Sequence, residues 1–388
     1  MSFAQRVTLL EEEGAYAVLA RAQALENQGR NIIHLEIGQP DYPTYAHISQ
    51  AGMDAIAAGK TRYNPPAGLT ELRQAIARQA GAQRGISLRP EQVVVAPGAK
   101  PGLFFTTLAL VEPGDEVIYP DPGFPTYAAM IGVAGGVPRP VPLREENGFS
   151  FDLDTFDQTV NSRTRLIILN SPANPTGGVL PLNDLEHIAA AAFKTNAWVL
   201  SDEIYARLAY DGLPVPSIAS LPGMLERTVI VDGFSKTYGM TGWRLGYAIM
   251  TEGLAHRVEL LLTHSVGCTA TFTQIAGIEA LNGPQEFVLT VVEEYQSRRD
   301  ALIAGLNSLP GIHCQVPQGA FYAFPNVKEL GLPSREIARR LLDEAGVAVL
   351  PGDDFGPQGE GYLRLCYATS VENLQFALQR IGEWLNKI

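Results

Sequence analysis

Short apolar runs alternate with longer Ala-, Leu- and Glu-rich stretches through the middle of the chain, and this alternation limits the fold most. The runs fall at 93–96, 116–119, 165–169, 198–201, 228–231 and 245–250, several of them apolar at every position. A strand whose side chains are apolar on both pleat faces needs cover on both faces. Helical stretches such as 182–193, opened by Pro181 where it suits a first turn, supply that cover. The expectation is an α/β fold, with a large domain built on a mostly parallel sheet flanked by helices. The Gly-Pro at 283–284 begins a stretch reading helix, short strands, helix. The domain expectation is therefore an N-terminal segment over 1–46 that joins a smaller α/β domain, a large domain over 47–282, and a C-terminal small domain over 283–388. A length of 388 residues suits two such units. No repeat, low-complexity tract or long linker interrupts them.

Composition narrows the function classes. The net charge is −12, from 41 acidic and 29 basic residues, and no dense Lys/Arg tract offsets it. A nucleic-acid partner is not expected, because phosphate backbones need concentrated positive charge. Cys268, Cys314 and Cys366 are odd in number and far apart, which fits neither a disulfide framework nor a metal site. They read as buried thiols in a reducing compartment. Acidic residues stand where a signal peptide needs an apolar stretch, and no run approaches the roughly 18 apolar residues of a membrane span. The expectations are a cytoplasmic location and no membrane partner. Gly59-Lys60-Thr61 lacks the glycine a phosphate-binding loop needs five places earlier, where Asp54 stands. No dinucleotide-binding glycine pattern lies between a strand and a helix either.

Chemistry concentrates just past the carboxyl ends of the apolar runs, where open α/β sheets bind ligands. GFSKTYGMTGWRLGY, residues 233–247, places Lys236 beside Ser235 and sets Arg244 after a glycine-rich turn. Alone, Lys236 would be a solvated surface residue. With Arg244 it can hold one ligand at two points, an aldehyde and a phosphate. That describes pyridoxal 5'-phosphate. Such a cofactor needs a carboxylate at its ring nitrogen in a dry site. Asp202, ending WVLSD, is the candidate, although a turn cap would also account for it. Tyr205 lies three residues on, and its phenol can reach the cofactor's 3-oxygen, as can the amide of Asn174 in NSPANPTGG. A bare Asn-Pro-Thr-Gly is otherwise an ordinary turn. The backbone amides of Gly98, Ala99 and Lys100 open a helix and can face the phosphate. Phe124 can stack on the ring or serve as core. Arg364, inside the apolar strand YLRLC, suits a substrate carboxylate, with a structural ion pair as the alternative.

With these residues in place, the sequence resembles the class I/II aminotransferases of pyridoxal-phosphate fold type I, the aspartate aminotransferase family. The likeness runs from about Ile32 through GQPD at 38–41 and RYNPPAGLTELR at 62–73 to YATSVENL at 367–374. It implies a homodimer with shared active sites, in which Tyr63 reaches the phosphate in the neighbouring subunit and Gly38 lies near the substrate carboxylate. Asn174, Asp202, Tyr205, Lys236, Arg244 and Arg364 fall on family positions with the roles given above. Many members carry a serine three residues before the lysine; here Gly233 stands, leaving Ser235 to compensate. Phe124 replaces a frequent tryptophan.

The expected reaction moves an amino group between an L-amino acid and a 2-oxo acid in two half-reactions. The incoming amine displaces Lys236, which then shuttles the α-carbon proton. Lys100 resembles a lysine that pairs with the distal carboxylate of acidic substrates in one subgroup. Aspartate with 2-oxoglutarate is therefore the first expectation, with aromatic or other neutral donors open. EEEGAYAVLA, at the N-terminal end, departs from that subgroup. Two alternatives stand beside this reading. One is a carbon–sulfur β-lyase on the same cofactor cage. The other is a non-catalytic sensor, which the retained lysine and the short stretch before Ile32 disfavour.

Overall fold

A computed structural model of the chain describes residues 3–8, 10 and 12–387. Its centre is an eight-stranded sheet ordered Val93–Ala96, Gly246–Ile249, Thr228–Gly233, Trp198–Asp202, Thr164–Asn170, Glu116–Asp121, Val137–Arg144, Ser150–Phe151. The pairings from Thr228–Gly233 to Val137–Arg144 are parallel. Gly246–Ile249 runs antiparallel to both its neighbours. All six expected runs are strands, with ends that differ by at most two residues; Leu245 and Met250 lie outside theirs.

Two strands of this sheet escaped the sequence reading. Val137–Arg144, VPRPVPLR, carries three prolines and looks broken. The Val137 N–H donates to the Asp115 carbonyl at 2.7 Å, so the odd residues face the sheet and Pro138, Pro140 and Pro142 face outward. There the two-residue strand Ser150–Phe151 pairs only with Leu143 and Arg144. Proline's missing donors therefore cost the ladder nothing.

Side chains of the central strands alternate between two apolar layers. Leu166, Ile168 and Val229 pack beneath the Ala99–Leu110 and Glu252–Thr263 helices, meeting Leu103 and Val258. Ile167, Leu169 and Val199 face the other way, onto Leu185 and Ile188 of the Leu182–Thr195 helix. Pro181 sits just before that helix in an extended conformation rather than in its first turn.

A second layer forms from the chain's two ends. Leu363–Cys366 is the centre of a three-stranded antiparallel sheet, between Tyr322–Ala323 and Leu350–Pro351. Ile33–His34 pairs in parallel with Val347–Ala348. Leu374, Ala377, Ile381 and Trp384 recur at helical spacing along Val371–Leu385 and bury against Leu302 and Leu306 of the Glu286–Asn307 helix. The Cys366 N–H donates to the Leu35 carbonyl at 2.7 Å, which lays residues 35–38 beside the strand carrying Arg364. Cys314 and Cys366 are buried thiols, whereas Cys268 is half-exposed, contrary to the sequence expectation. Among the described residues no helix is long and apolar enough to cross a membrane.

Candidate active site

Strand register brings the chemistry to one sheet edge. Asn170 pairs with Asp202, Asp202 with Val231, and Gly233 with Gly246. The loops beginning at those ends carry Asn174, Tyr205, Ser235 and Lys236, and Ala96 on the far side of Gly246 leads into Gly98. They line one cavity of about 630 Å³, closed on its other side by Gly38, Tyr322 and Arg364.

Lys236 lies in the turn after Thr228–Gly233, and its Nζ donates to the Gly38 carbonyl at 2.6 Å. The turn is held from outside: the Tyr42 hydroxyl donates to the Lys236 carbonyl at 2.9 Å and the Thr44 hydroxyl to the Gly239 carbonyl at 2.7 Å. A Cβ on Gly38 would fall 2.1 Å from the Tyr322 oxygen, so only glycine lets this backbone come so close. Burial pulls the Lys236 ammonium down to about 8, aided by the charges of Arg364, Arg244 and Lys100 and opposed by Cys366.

Asp202 is buried at the floor. Its Oδ2 accepts from the Tyr127 hydroxyl at 2.8 Å and its Oδ1 from the Ile204 N–H at 3.3 Å. The second contact is the turn-capping role; the first points the carboxylate into the cavity. Burial raises its pKa to about 7, against the lowering effect of those two bonds. Behind it, Arg84 bridges Glu203 at 2.7 Å and Asp232 at 3.0 Å, tying the ends of two neighbouring strands together. Tyr205 shares a 2.7 Å hydrogen bond with Tyr322, and burial pushes its phenol well above the ordinary range. Asn174 is positioned by its own N–H, which donates to Asn170 Oδ1 at 2.9 Å, while its side-chain Oδ1 is buried without a partner.

Gly98 caps the Ala99–Leu110 helix with φ 97°, and a Cβ there would lie 2.3 Å from Arg244 Nη2. Arg244 itself holds φ 54°, a left-handed conformation that costs a non-glycine residue about 1–3 kcal/mol. Its guanidinium donates to the Thr241 carbonyl at 2.9 Å and contacts no carboxylate among the described residues. Arginine donors and helix-start amides thus converge where an anion would be stabilised. Gly233 lies inside its strand, and a Cβ there would meet the Gly246 Cα at 3.0 Å; the hydroxyl available on this side is that of Ser235, on the cavity wall.

Arg364 is 4% exposed. It donates to the Glu36 carbonyl, lies 4.7 Å from the Tyr322 ring centroid, and forms no ion pair among the described residues. The structural ion pair weighed from sequence is therefore not what holds it. Its Nε is buried and unpartnered, which in the dry interior leaves a donor waiting for an acceptor. Phe124 lines the cavity edge-on to Tyr127. Lys100 Nζ sits 5.0 Å from the Phe124 centroid and is ion-paired with Glu13. Tyr63 stands outside this cavity, 98% exposed.

Tyr127, Tyr322, Asn170 and Glu13 were not anticipated. Tyr127 lies in the first turn of the Thr126–Ala134 helix, three residues past Phe124, and could have been sought there. Tyr322 and Glu13 arrive from distant segments and carry no local signal.

A buried lysine, a buried carboxylate, an anion cradle and an arginine without an ion pair among the described residues lie around one cavity, the groups that a pyridoxal-phosphate-dependent enzyme acting on amino acids requires. The Gly98 cradle, where a Cβ would lie 2.3 Å from Arg244 Nη2, and the orphaned donor Arg364 Nε are the observations that the cofactor's phosphate and the substrate's carboxylate fit. Residues 30–381 match the family model described as aminotransferase class I and II, and the chain belongs to that family. It is 40% identical to an aspartate aminotransferase of Pyrococcus abyssi, over 92% of each chain. It is 37% identical to aromatic-amino-acid aminotransferase 2 of Thermococcus litoralis, over 100% of this chain and 99% of that one. Among solved structures, the Thermus thermophilus aspartate aminotransferase with maleate superposes with a TM-score of 0.93, at 38% identity over 99% of both chains. The chain is an aminotransferase, its cofactor is pyridoxal 5'-phosphate, and its substrates are amino and 2-oxo acids. The lyase and sensor alternatives find no support.

Proposed function

We propose that Lys236 carries the cofactor and that the preferred exchange is between aspartate and 2-oxoglutarate. The observation that carries this reading is the convergence of Lys236, Asp202 and Arg364 on one cavity that also holds Lys100. Pyridoxal phosphate, when bound, supplies an aldehyde for amines and an electron-withdrawing ring. Asp202 keeps a proton on the ring nitrogen by ion pairing in a site without water's screening. Tyr205 and Asn174 donate to the ring's 3-oxygen. The Gly98, Ala99 and Lys100 amides, Ser235 and Arg244 hold the phosphate, and Phe124 packs on the ring face. Arg364 and Asn174 orient the substrate α-carboxylate beside the Gly38 backbone. Lys236 Nζ, displaced by the incoming amine, would take the proton from the substrate α carbon and deliver it to the cofactor carbon that had been the aldehyde.

The same reading takes the protein as a cytoplasmic homodimer in which the partner subunit's Tyr63 completes the phosphate site. A fully exposed Tyr63, and an open groove lined by Arg244, Trp243 and Phe272, support it. The 1–46, 47–282 and 283–388 division is kept as its domain plan. The test is a half-reaction. Holoenzyme mixed with aspartate alone should lose its aldehyde absorbance and release one oxaloacetate per site, and 2-oxoglutarate should restore the spectrum. Continuous pyruvate and ammonia from a cysteine conjugate, with no acceptor present, would favour a lyase instead.

A further inference from the structure

Lys236, Arg244 and Arg364 each have an anion or electrophile assigned in the transaminase reading, which among the described lining residues leaves Lys100 as the one cation for a substrate side chain. In the structure that position is taken by the chain's own Glu13. Glu13 is the residue before the Gly14–Glu26 helix, yet its carboxylate makes no capping hydrogen bond there. It extends instead to Lys100, at the cavity edge. The approach is fixed by close packing: a Cβ on Gly14 would fall 1.8 Å from Asp354 Oδ2, and Asp354 is itself held by Arg335 at 2.8 Å. Both side chains of the Glu13–Lys100 pair are partly exposed, so the pair is not locked in the interior. The same cavity is lined by the side chains of Tyr16, Leu19, Ile37 and Phe355.

We propose that Glu13 is a specificity-determining residue that sets the balance between dicarboxylic and neutral amino donors, by occupying Lys100 as a built-in stand-in for a substrate's distal carboxylate. This rests on the transaminase reading and deepens it. With a neutral donor bound, the Glu13–Lys100 pair stays intact, and an apolar side chain meets Tyr16, Leu19 and Phe355 beside a neutralised pair rather than a bare ammonium. With an acidic donor, the substrate carboxylate displaces Glu13, which swings to solvent. The binding free energy of acidic substrates is thereby reduced by that of the displaced pair, and neutral ones bear no such cost.

The test titrates non-reacting analogues, maleate and 3-phenylpropionate, into the holoenzyme and reads the absorbance shift of the bound cofactor. Glu13→Gln should tighten maleate by about fivefold, the scale of a partly exposed ion pair, while 3-phenylpropionate stays within about twofold or weakens. In a Lys100→Gln background the same Glu13 change should have no effect on maleate, since the two residues act through one contact. Equal changes for both analogues, an unchanged maleate affinity, or a maleate gain that survives Lys100→Gln would overturn the proposal. Glu13→Asp, which keeps the charge, should leave maleate closer to the parent value than Glu13→Gln does. Loss of all half-reactions with every amino acid would instead strike at the transaminase reading, and that is scored separately in the parent enzyme.

Discussion

The Tyr127 hydroxyl donates to Asp202 Oδ2 at 2.8 Å beneath the cavity floor, so that a helix following one strand orients a carboxylate ending another. The carboxylate is buried and has no cation in contact among the described residues, and burial raises its pKa to about 7 from an ordinary 3.8. In the absence of cofactor the folded chain holds a proton here that the unfolded chain releases. Stability from this group is thus full below pH 3.8 and lost as pH rises through about 7. Asp202→Asn should raise the melting temperature of the apoprotein at pH 8 by roughly 3 °C, with the gain vanishing by pH 4. The same change should cut turnover of the holoenzyme by about a thousandfold, because a neutral amide cannot hold the ring proton. Scanning calorimetry at the two pH values and a half-reaction assay check both arms; turnover within a few fold of the parent would remove Asp202 from its role.

Lys236 should capture the aldehyde as a neutral amine. Its ammonium titrates near 8 rather than at 10.5, so the reactive fraction grows with pH up to about 8 and then saturates. The rate constant for cofactor uptake by apoprotein should rise about tenfold per pH unit below that point and level off above pH 9. Stopped-flow absorbance measures it. A rate still climbing steeply at pH 10 would mean an ordinary, solvated lysine.

Among the described residues Arg364 has no carboxylate partner, and it should act on substrate rather than on cofactor. Arg364→Ala should raise KM for every amino acid by about a hundredfold, the scale of a charge-assisted double hydrogen bond. Cofactor retention through gel filtration should be unchanged. Loss of the cofactor together with substrate affinity would argue for a structural role.

Arg84 meets Glu203 and Asp232 in the interior behind Asp202. Removing one member of such a buried set leaves the others uncompensated, at a cost of about 3–5 kcal/mol. Arg84→Ala should therefore lower unfolding free energy by about that amount in denaturant titration, and Arg84→Lys should recover only part of it. A change under about 1 kcal/mol would show that water reaches the cluster.

Much of this was legible in the sequence, for a physical reason. Strands covered on both faces must be apolar throughout, so 93–96, 165–169 and 228–231 announce themselves, and the residues just beyond them inherit the ligand-binding edge. Lys236, Asp202 and Asn174 were found that way. Val137–Arg144 was hidden because its prolines face an almost unpaired side, which no local rule reveals. Tyr322 and Glu13 were hidden because their places depend on how the chain's two ends pack against the large sheet.

The most direct test of the account is to fix the cofactor in place. Holoenzyme treated with borohydride, digested and analysed by mass spectrometry should carry the reduced pyridoxyl group on the peptide containing Lys236, and Lys236→Ala should yield no such adduct and no turnover. A pyridoxyl group found instead on Lys100 or Lys60, or full turnover by Lys236→Ala, would contradict it.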